Sequence, residues 1–231
     1  MRTSGRTQVA VQHIARLAAG AILVALCGGV ASRAAAQRLD GRFKLGMETA
    51  VFEYSSTKIE GAGLATTNDS TDEVTLGIAP SRAGVDFGYG LANTWVLGVR
   101  LLLVHSSSEQ GGGGQDIDTT LLGVVPHLDY VFASSGATRV FLGPMLGFGV
   151  ASAGFGPTND GSAHLFLFGA NFGAHIFVAP GVSIDPRLAL SYAVGEASYD
   201  VMFGGIVPTA SVSADVNVLA VSALLGISAW L

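Results

Sequence analysis

The sequence predicts an all-β fold: an eight-stranded, antiparallel, up-and-down transmembrane β-barrel preceded by a cleavable signal peptide. Three observations carry this. Apolar side chains alternate with small or polar ones at period two in eight segments. The links between those segments are alternately short and long. The N-terminus runs from basic to apolar to small residues, the pattern of a secretion signal.

The signal is set apart first. Arg2, Arg6 and Arg16 are basic, and 17–31 is an uncharged apolar run of 15 residues, short for a membrane helix. Ala34, Ala35 and Ala36 supply small residues for cleavage before Gln37, so residues 1–36 are expected to be removed and 37–231 to form one barrel domain. An uncleaved anchor is the alternative. The single cysteine, Cys27, falls inside the apolar run after Leu26, which disfavours lipidation and leaves the remainder without a thiol. Four of the twelve basic residues lie in 1–36 and none of the seventeen acids, so the rest carries eight bases against seventeen acids, a formal −9. That surface excludes nucleic acid as a partner, because phosphate binding needs an excess of Lys and Arg. Charged residues make up only 13% of the chain, too few for an ordinary water-soluble surface of this size.

Segment one, 43–54, places Phe43, Leu45, Met47 and Val51 opposite Lys44, Gly46, Glu48 and Ala50. Segment two, about 74–91, has Val74, Leu76 and Ile78 in even register but Val85, Phe87, Tyr89 and Leu91 in odd. A β-bulge is therefore expected near Pro80 to Gly84. Segment three sets Trp95, Leu97, Val99, Leu101 and Leu103 against Gly98 and Arg100. Segment four sets Leu122, Val124, Leu128, Tyr130 and Phe132 against Gly123, His127 and Asp129. Segment five has Val140, Leu142, Leu146, Phe148 and Val150 against three glycines. Segment six has Phe166, Phe168, Phe172, Ile176 and Val178 against Gly169, Asn171, Gly173 and His175. Segment seven has Val182, Ile184, Leu188, Leu190 and Tyr192 against Asp185, Arg187 and Ser191. The last, about 216–231, has Leu219, Val221, Leu225, Ile227 and Leu231 against Ser222, Gly226 and Ser228. Each reaches the roughly 9–11 residues that a tilted strand needs to cross a bilayer.

Tight links are expected at 91–94, 134–138 and 179–181, and long ones at 55–73, 106–117, 153–162 and 195–213. Three short turns and four long loops are what eight strands with both ends on one side require, the short turns facing the periplasm. The non-apolar face is mostly Gly, Ala and Ser with one or two charges per strand. Such residues suit a narrow lumen, so the bulky aliphatic face is expected to meet lipid. Tyr89, Trp95, Tyr130 and Phe132 gather by the short turns as an interfacial girdle. A soluble barrel with an apolar interior and a helical membrane protein are the competing readings. Pro80, Pro126, Pro144 and Pro186 lie inside proposed strands, and bulges or the periplasmic rim are where they are expected.

The stretches GYGLANTWVLGVRL at 88–101, VFLGPMLGFGV at 140–150 and VSIDPRLALSYAVG at 182–195 resemble the small eight-stranded outer-membrane β-barrels of the OmpA, OmpX and opacity-protein kind. The likeness is one of pattern and covers 41–231. It implies residence in a bacterial outer membrane, lipopolysaccharide as neighbour and the barrel-assembly machinery as partner during biogenesis. Members commonly end in an aromatic residue, whereas here the aromatic, Trp230, is penultimate and Leu231 is last.

Ten inward residues are the candidate site: Lys44, Glu48, Arg82, Asp86, Arg100, His127, Asp129, His175, Asp185 and Arg187. Charges in a confined interior must pair or meet water. They therefore predict either a salt-bridge plug that closes the lumen or the lining of a narrow pore. Acids concentrate in the long loops (Glu60, Asp69, Asp72, Glu73, Glu109, Asp116, Asp118, Asp160, Glu196 and Asp200), which would present them to extracellular ligands or to cation-bridged lipopolysaccharide. His105, Ser107 and Glu109, and Asp160, Ser162 and His164, are the only Ser, His and acid groupings that bring a hydrolase to mind, and residues two apart on a strand share a face in any case. No catalytic, cofactor or metal set is expected. The role expected is structural or surface-interactive with a closed lumen, ahead of a small passive pore and of a lipid-modifying enzyme.

Overall fold

The structure, a computed structural model, describes residues 38–61, 68–76, 82–108, 117–155, 160–202 and 208–231. The expected signal peptide, Pro80 and the tips of the long loops lie outside them. Every element among the described residues is a strand: β1 (Phe43–Gly61), β2 (Asn68–Leu76), β3 (Arg82–Ala92), β4 (Trp95–Ser108), β5 (Ile117–Ser135), β6 (Thr138–Phe155), β7 (Asp160–Ala179), β8 (Val182–Met202) and β9 (Pro208–Trp230). All pairings are antiparallel, neighbours follow chain order, and β1 pairs with β9 to close the ring. β2 and β3 both pair with the same edge of β1, one above the other. They are two halves of one stave, so the ring has eight.

The period-two pattern fixes which face is which. Phe43, Leu45 and Met47 are exposed while Lys44, Gly46 and Glu48 between them are buried. The same holds for Leu97, Val99 and Leu101 around Gly98 and Arg100. An apolar exterior around a polar buried axis is the inside-out arrangement that hydrocarbon solvent demands. Phe43 with Tyr89 (4.9 Å between ring centroids) and Trp95 with Tyr130 (4.7 Å) form tilted pairs by the short turns, where an interfacial girdle is useful.

The shift of parity in the second stave is present: Val74 and Phe87 are both exposed although one is even and the other odd. On β1, Thr49 faces Ala83 and Phe52 faces Leu76, and the part of the expected bulge from Pro80 to Ser81 lies outside the described residues. At the same level β1 slips against β9 between Ala50 and Phe52. Pro126, Pro144 and Pro186 are not at register shifts. Each sits in a regular strand where the ladder to one neighbour skips two residues on each side, β5 to β6 for the first two and β7 to β8 for the third. The missing donor thus coincides with unpaired backbone, which is how a closed sheet tolerates proline. The slips that do occur at the short turns leave out Leu91, Phe132 and Val178, one before each turn. Gly136 and Gly181 in two of those turns have φ of 54° and 76°, which a side chain resists.

The described residues of the expected long loops are strand. β1 continues to Gly61, β7 starts at Asp160 and β8 continues to Met202. A strand of 19 residues such as β1, tilted at about 40°, rises almost 50 Å, about twice the apolar band. Beyond the bilayer both faces meet water and the alternation that betrays a strand fades.

Ahead of β1, residues 38–42 turn across the mouth at the short-turn end. Gly41 (φ 71°) donates to the Gly90 carbonyl (2.9 Å), Gly90 donates to Arg42 (2.9 Å) and Arg42 donates back to Leu39 (3.1 Å). Leu39 is fully buried and packs in one cluster with Val96, Val131, Phe141, Phe177 and Trp230. This apolar cluster, the seal, lies at the short-turn end of the barrel, below the ion pairs.

Candidate functional site

Strand alternation delivers the inward charges to a common level just above the seal. β1 contributes Lys44 and Glu48, β3 Asp86, β4 Arg100, β5 His127 and Asp129, β7 His175, and β8 Asp185 and Arg187. All nine are buried. Asp86 is the hub. Its Oδ2 accepts from Lys44 Nζ (2.8 Å) and Arg187 Nη2 (3.2 Å), and its Oδ1 meets His127 Nε2 (3.0 Å). His127 Nδ1 lies 3.2 Å from Asp129. Glu48 pairs with Arg100 Nε and lies 3.6 Å from Arg187 Nη1. Asp185 takes Lys44 (3.5 Å), His175 Nδ1 (3.0 Å) and the hydroxyls of Ser183 (2.7 Å) and Ser228. The nine side chains form one connected network. The tenth candidate, Arg82, opens β3, and its side chain lies outside the described residues.

Chemically this is a layer of mutually compensated charges. Isolated burial of any of these charges costs several kcal/mol, and shared partners offset that cost. Three cations, on β1, β4 and β8, bridge to carboxylates on β1, β3 and β8, so the pairs tie staves together across the axis as well as within the wall. The glycines opposite them supply the space. A Cβ on Gly98 would stand 2.3 Å from His127 Nε2, and one on Gly46 2.5 Å from Ser228 Oγ.

The candidate set left out Ser183, Ser228, Phe141, Trp230, Asn171 and Arg139, all of them buried, although Asn171 and Ser228 stand on the inward face of the expected strands. Trp230 Nε1 donates to Ser183 Oγ (2.9 Å), and Ser183 donates on to Asp185, which links the apolar seal to the ion layer. His175 stacks on Phe141 (4.6 Å) and meets Trp230 edge-on (5.0 Å), while the Arg187 guanidinium lies 5.3 Å from the Phe141 ring. Parity held the signal for these, since Phe141 and Arg139 share odd register with Gly143, and Ser183 with Asp185. The assumption that only small or charged residues face inward hid the aromatics.

That assumption also fails further along the axis. Beyond Glu48 and Arg100, toward the long connections, lies a cavity of about 540 Å³ lined by aliphatic side chains that include Leu102, Leu121, Leu165, Leu167, Val216 and Val218. Gly84, Gly123 and Gly149 widen it, and Glu53, Ser191 and Ser222 add a little polarity. In this half of the barrel both faces of the strands are apolar: Leu101 and Leu103 are exposed while Leu102 lines the cavity. The interior is thus three storeys, an aromatic seal, an ion layer and an apolar chamber.

The described members of the Ser and His groupings take other partners. His105 Nδ1 pairs with Thr120 Oγ1 (3.1 Å), Ser162 with Ser198 (3.1 Å), and His164 stacks against Phe148. Ser107 and Asp160 side chains and Glu109 lie outside the described residues. Of the loop acids, Glu60 pairs with Lys58 and Asp72 accepts from Tyr54 (3.4 Å). Among the described residues no group of three His, Cys, Asp or Glu converges as a metal set.

No protein-family model matches the chain, and no curated protein does. Solved structures do. The outer membrane protein OprG of Pseudomonas aeruginosa superposes with a TM-score of 0.53 at 13% identity, covering 84% of this chain and 97% of that one. The lipid-bilayer structure of AlkL gives 0.47 at 15% identity over 88% and 96%. Neisserial surface protein A gives 0.44 at 16% identity over 82% and 99%. The chain has the fold of the small eight-stranded outer-membrane β-barrels.

Proposed function

We propose that the protein is a non-enzymatic barrel of a bacterial outer membrane that does not conduct ions and that holds small apolar molecules in the outer half of its lumen. The observation that carries this reading is the stacking of an aliphatic chamber on a layer of paired charges and an aromatic cluster. A cavity of about 540 Å³ falls within the roughly 300–1,000 Å³ of small-molecule pockets, and such pockets are mainly apolar with a few polar groups. Below it, the connected ion pairs from Lys44 to Arg187 and the seal around Trp230 occupy the axis. A hydrated ion would have to part both layers. A molecule that prefers hydrocarbon would rest above them.

By the orientation usual for such barrels, the chamber lies on the outer side. The strand extensions beyond the apolar band would stand among lipopolysaccharide head groups, and the long loops would meet extracellular ligands. Insertion would depend on the barrel-assembly machinery. In planar bilayers the purified protein is expected to give no single-channel current. In lipid nanodiscs it is expected to enhance the fluorescence of a neutral naphthylamine dye, and Ala193→Trp, which fills the chamber wall, to abolish that gain. Steady conductance would sink the closed floor, and dye binding indifferent to Ala193→Trp would sink the chamber.

A further inference from the structure

Of the six residues in the apolar seal, five stand on strands of the ring and one does not. Leu39 belongs to the lead-in of residues 38–42, ahead of the first ladder contact, in which Phe43 and Leu231 exchange backbone hydrogen bonds of 3.1 and 2.8 Å. Leu39 is nonetheless fully buried, and its own N–H donates to the Asn93 side chain (3.2 Å) in the first short turn. The lead-in is therefore held to β3 and its turn by a handful of contacts that the barrel ladder does not need.

We propose that residues 38–42 are a stopper for the periplasmic mouth, with Leu39 as its tip, which can leave the mouth while the ring stays closed and so admit water to the ion layer from below. Two features of the sequence fit this purpose. Gly41 makes the reverse bend with a positive φ of 71°. Gly90 gives the bend a seat: a Cβ there would come 1.9 Å from the Leu39 carbonyl oxygen, so no other residue at 90 lets the lead-in dock. Glycine at 90 thus serves a segment fifty residues away rather than its own strand. Trp230 lies directly inside the stopper, 2% exposed, and hands its N–H to Ser183 and through it to Asp185. Withdrawal of Leu39 bares this ring to water before any ion pair has to break.

Trp230 is also the reporter. The chain has two tryptophans, and Trp95→Phe removes the lipid-facing one, leaving Trp230 alone. In bilayers, iodide, which does not enter hydrocarbon, is expected to quench Trp230 of that variant hardly at all. Leu39→Gly, which removes the tip, and Gly90→Ala, which removes the seat but keeps the tip, are each expected to raise the quenching constant several-fold, with the unheated sample still migrating as a folded barrel. Two independent routes guard against one variant failing to fold. Quenching that stays at the starting level in a folded variant, or a Trp230 already open to iodide with Leu39 and Gly90 intact, overturns the stopper. Neither result bears on dye binding in the chamber.

Discussion

At the scale of single residues, Asp86 holds the most consequential position, because three cationic or proton-bearing groups lean on one carboxylate. Asp86→Ala leaves Lys44 and Arg187 short of a partner in a buried site, and removal of one member of a buried pair costs about 3–5 kcal/mol. Equilibrium unfolding in urea with lipid present is the check. Lys58→Ala is the contrast: its bridge to Glu60 joins groups more than two-fifths exposed, and such pairs contribute about 0–1 kcal/mol. Gly98→Ala adds a single carbon but sets it on His127, and overpacking of that kind costs about 1–3 kcal/mol. A loss at Gly98 as small as that at Lys58 would mean that His127 yields freely and that the ion layer is looser than drawn. Nine of the ten candidate residues are found together because charge on the small-residue face of a strand has nowhere else to go. Trp230 and Phe141 escaped notice for an equally physical reason. Period two says which residues share a face, but nothing in it says how wide the lumen is at a given height, and so whether an aromatic fits.

At the scale of elements, the eight staves and three short turns were legible because the bilayer imposes a solvent difference between the two faces of each strand. Where that difference ends, so does the legibility. Residues 55–61, 160–162 and 195–202 are strand, yet they read as loop, since hydrogen bonds to a neighbour leave no mark on side-chain polarity. The apolar chamber escaped for the converse reason: when Leu101 and Leu102 are both aliphatic, alternation carries no sign. The boundary of the membrane band can be located by charge. Leu101, midway along the outward face of β4, is expected to be set against the hydrocarbon centre, and Leu101→Arg to cost about 2–4 kcal/mol. Ser162→Arg, on an extension above the band, is expected to cost about 0–1 kcal/mol. Comparable losses at both sites, measured by the same urea unfolding in bilayers, would place the band elsewhere.

For the whole molecule, closure is the governing property. β1 pairs with both β9 and β3, so the ring closes over the span of β3, while β2 pairs with β1 alone and its other edge has no partner among the described residues. Samples mixed with detergent but not heated are expected to run on a gel at a different apparent mass from boiled ones. A single band under both conditions would contradict a closed ring. The fold was accessible from sequence at this scale because counting works: eight segments, four long links and three short ones admit few arrangements. The contents of the lumen were not, because they depend on how the staves stagger.

The pairing of β1 with β9 has a consequence for timing. Phe43 can form its last two backbone hydrogen bonds only with Leu231, so the opening stave waits for the final one across almost the entire length of the polypeptide. Contacts so distant in sequence are slow to form. Until the far end arrives, seven staves of greasy exterior have no cylinder to belong to. A copy cut short of β9 would be left as a curled ribbon with two raw margins, a substrate for proteases rather than a smaller barrel.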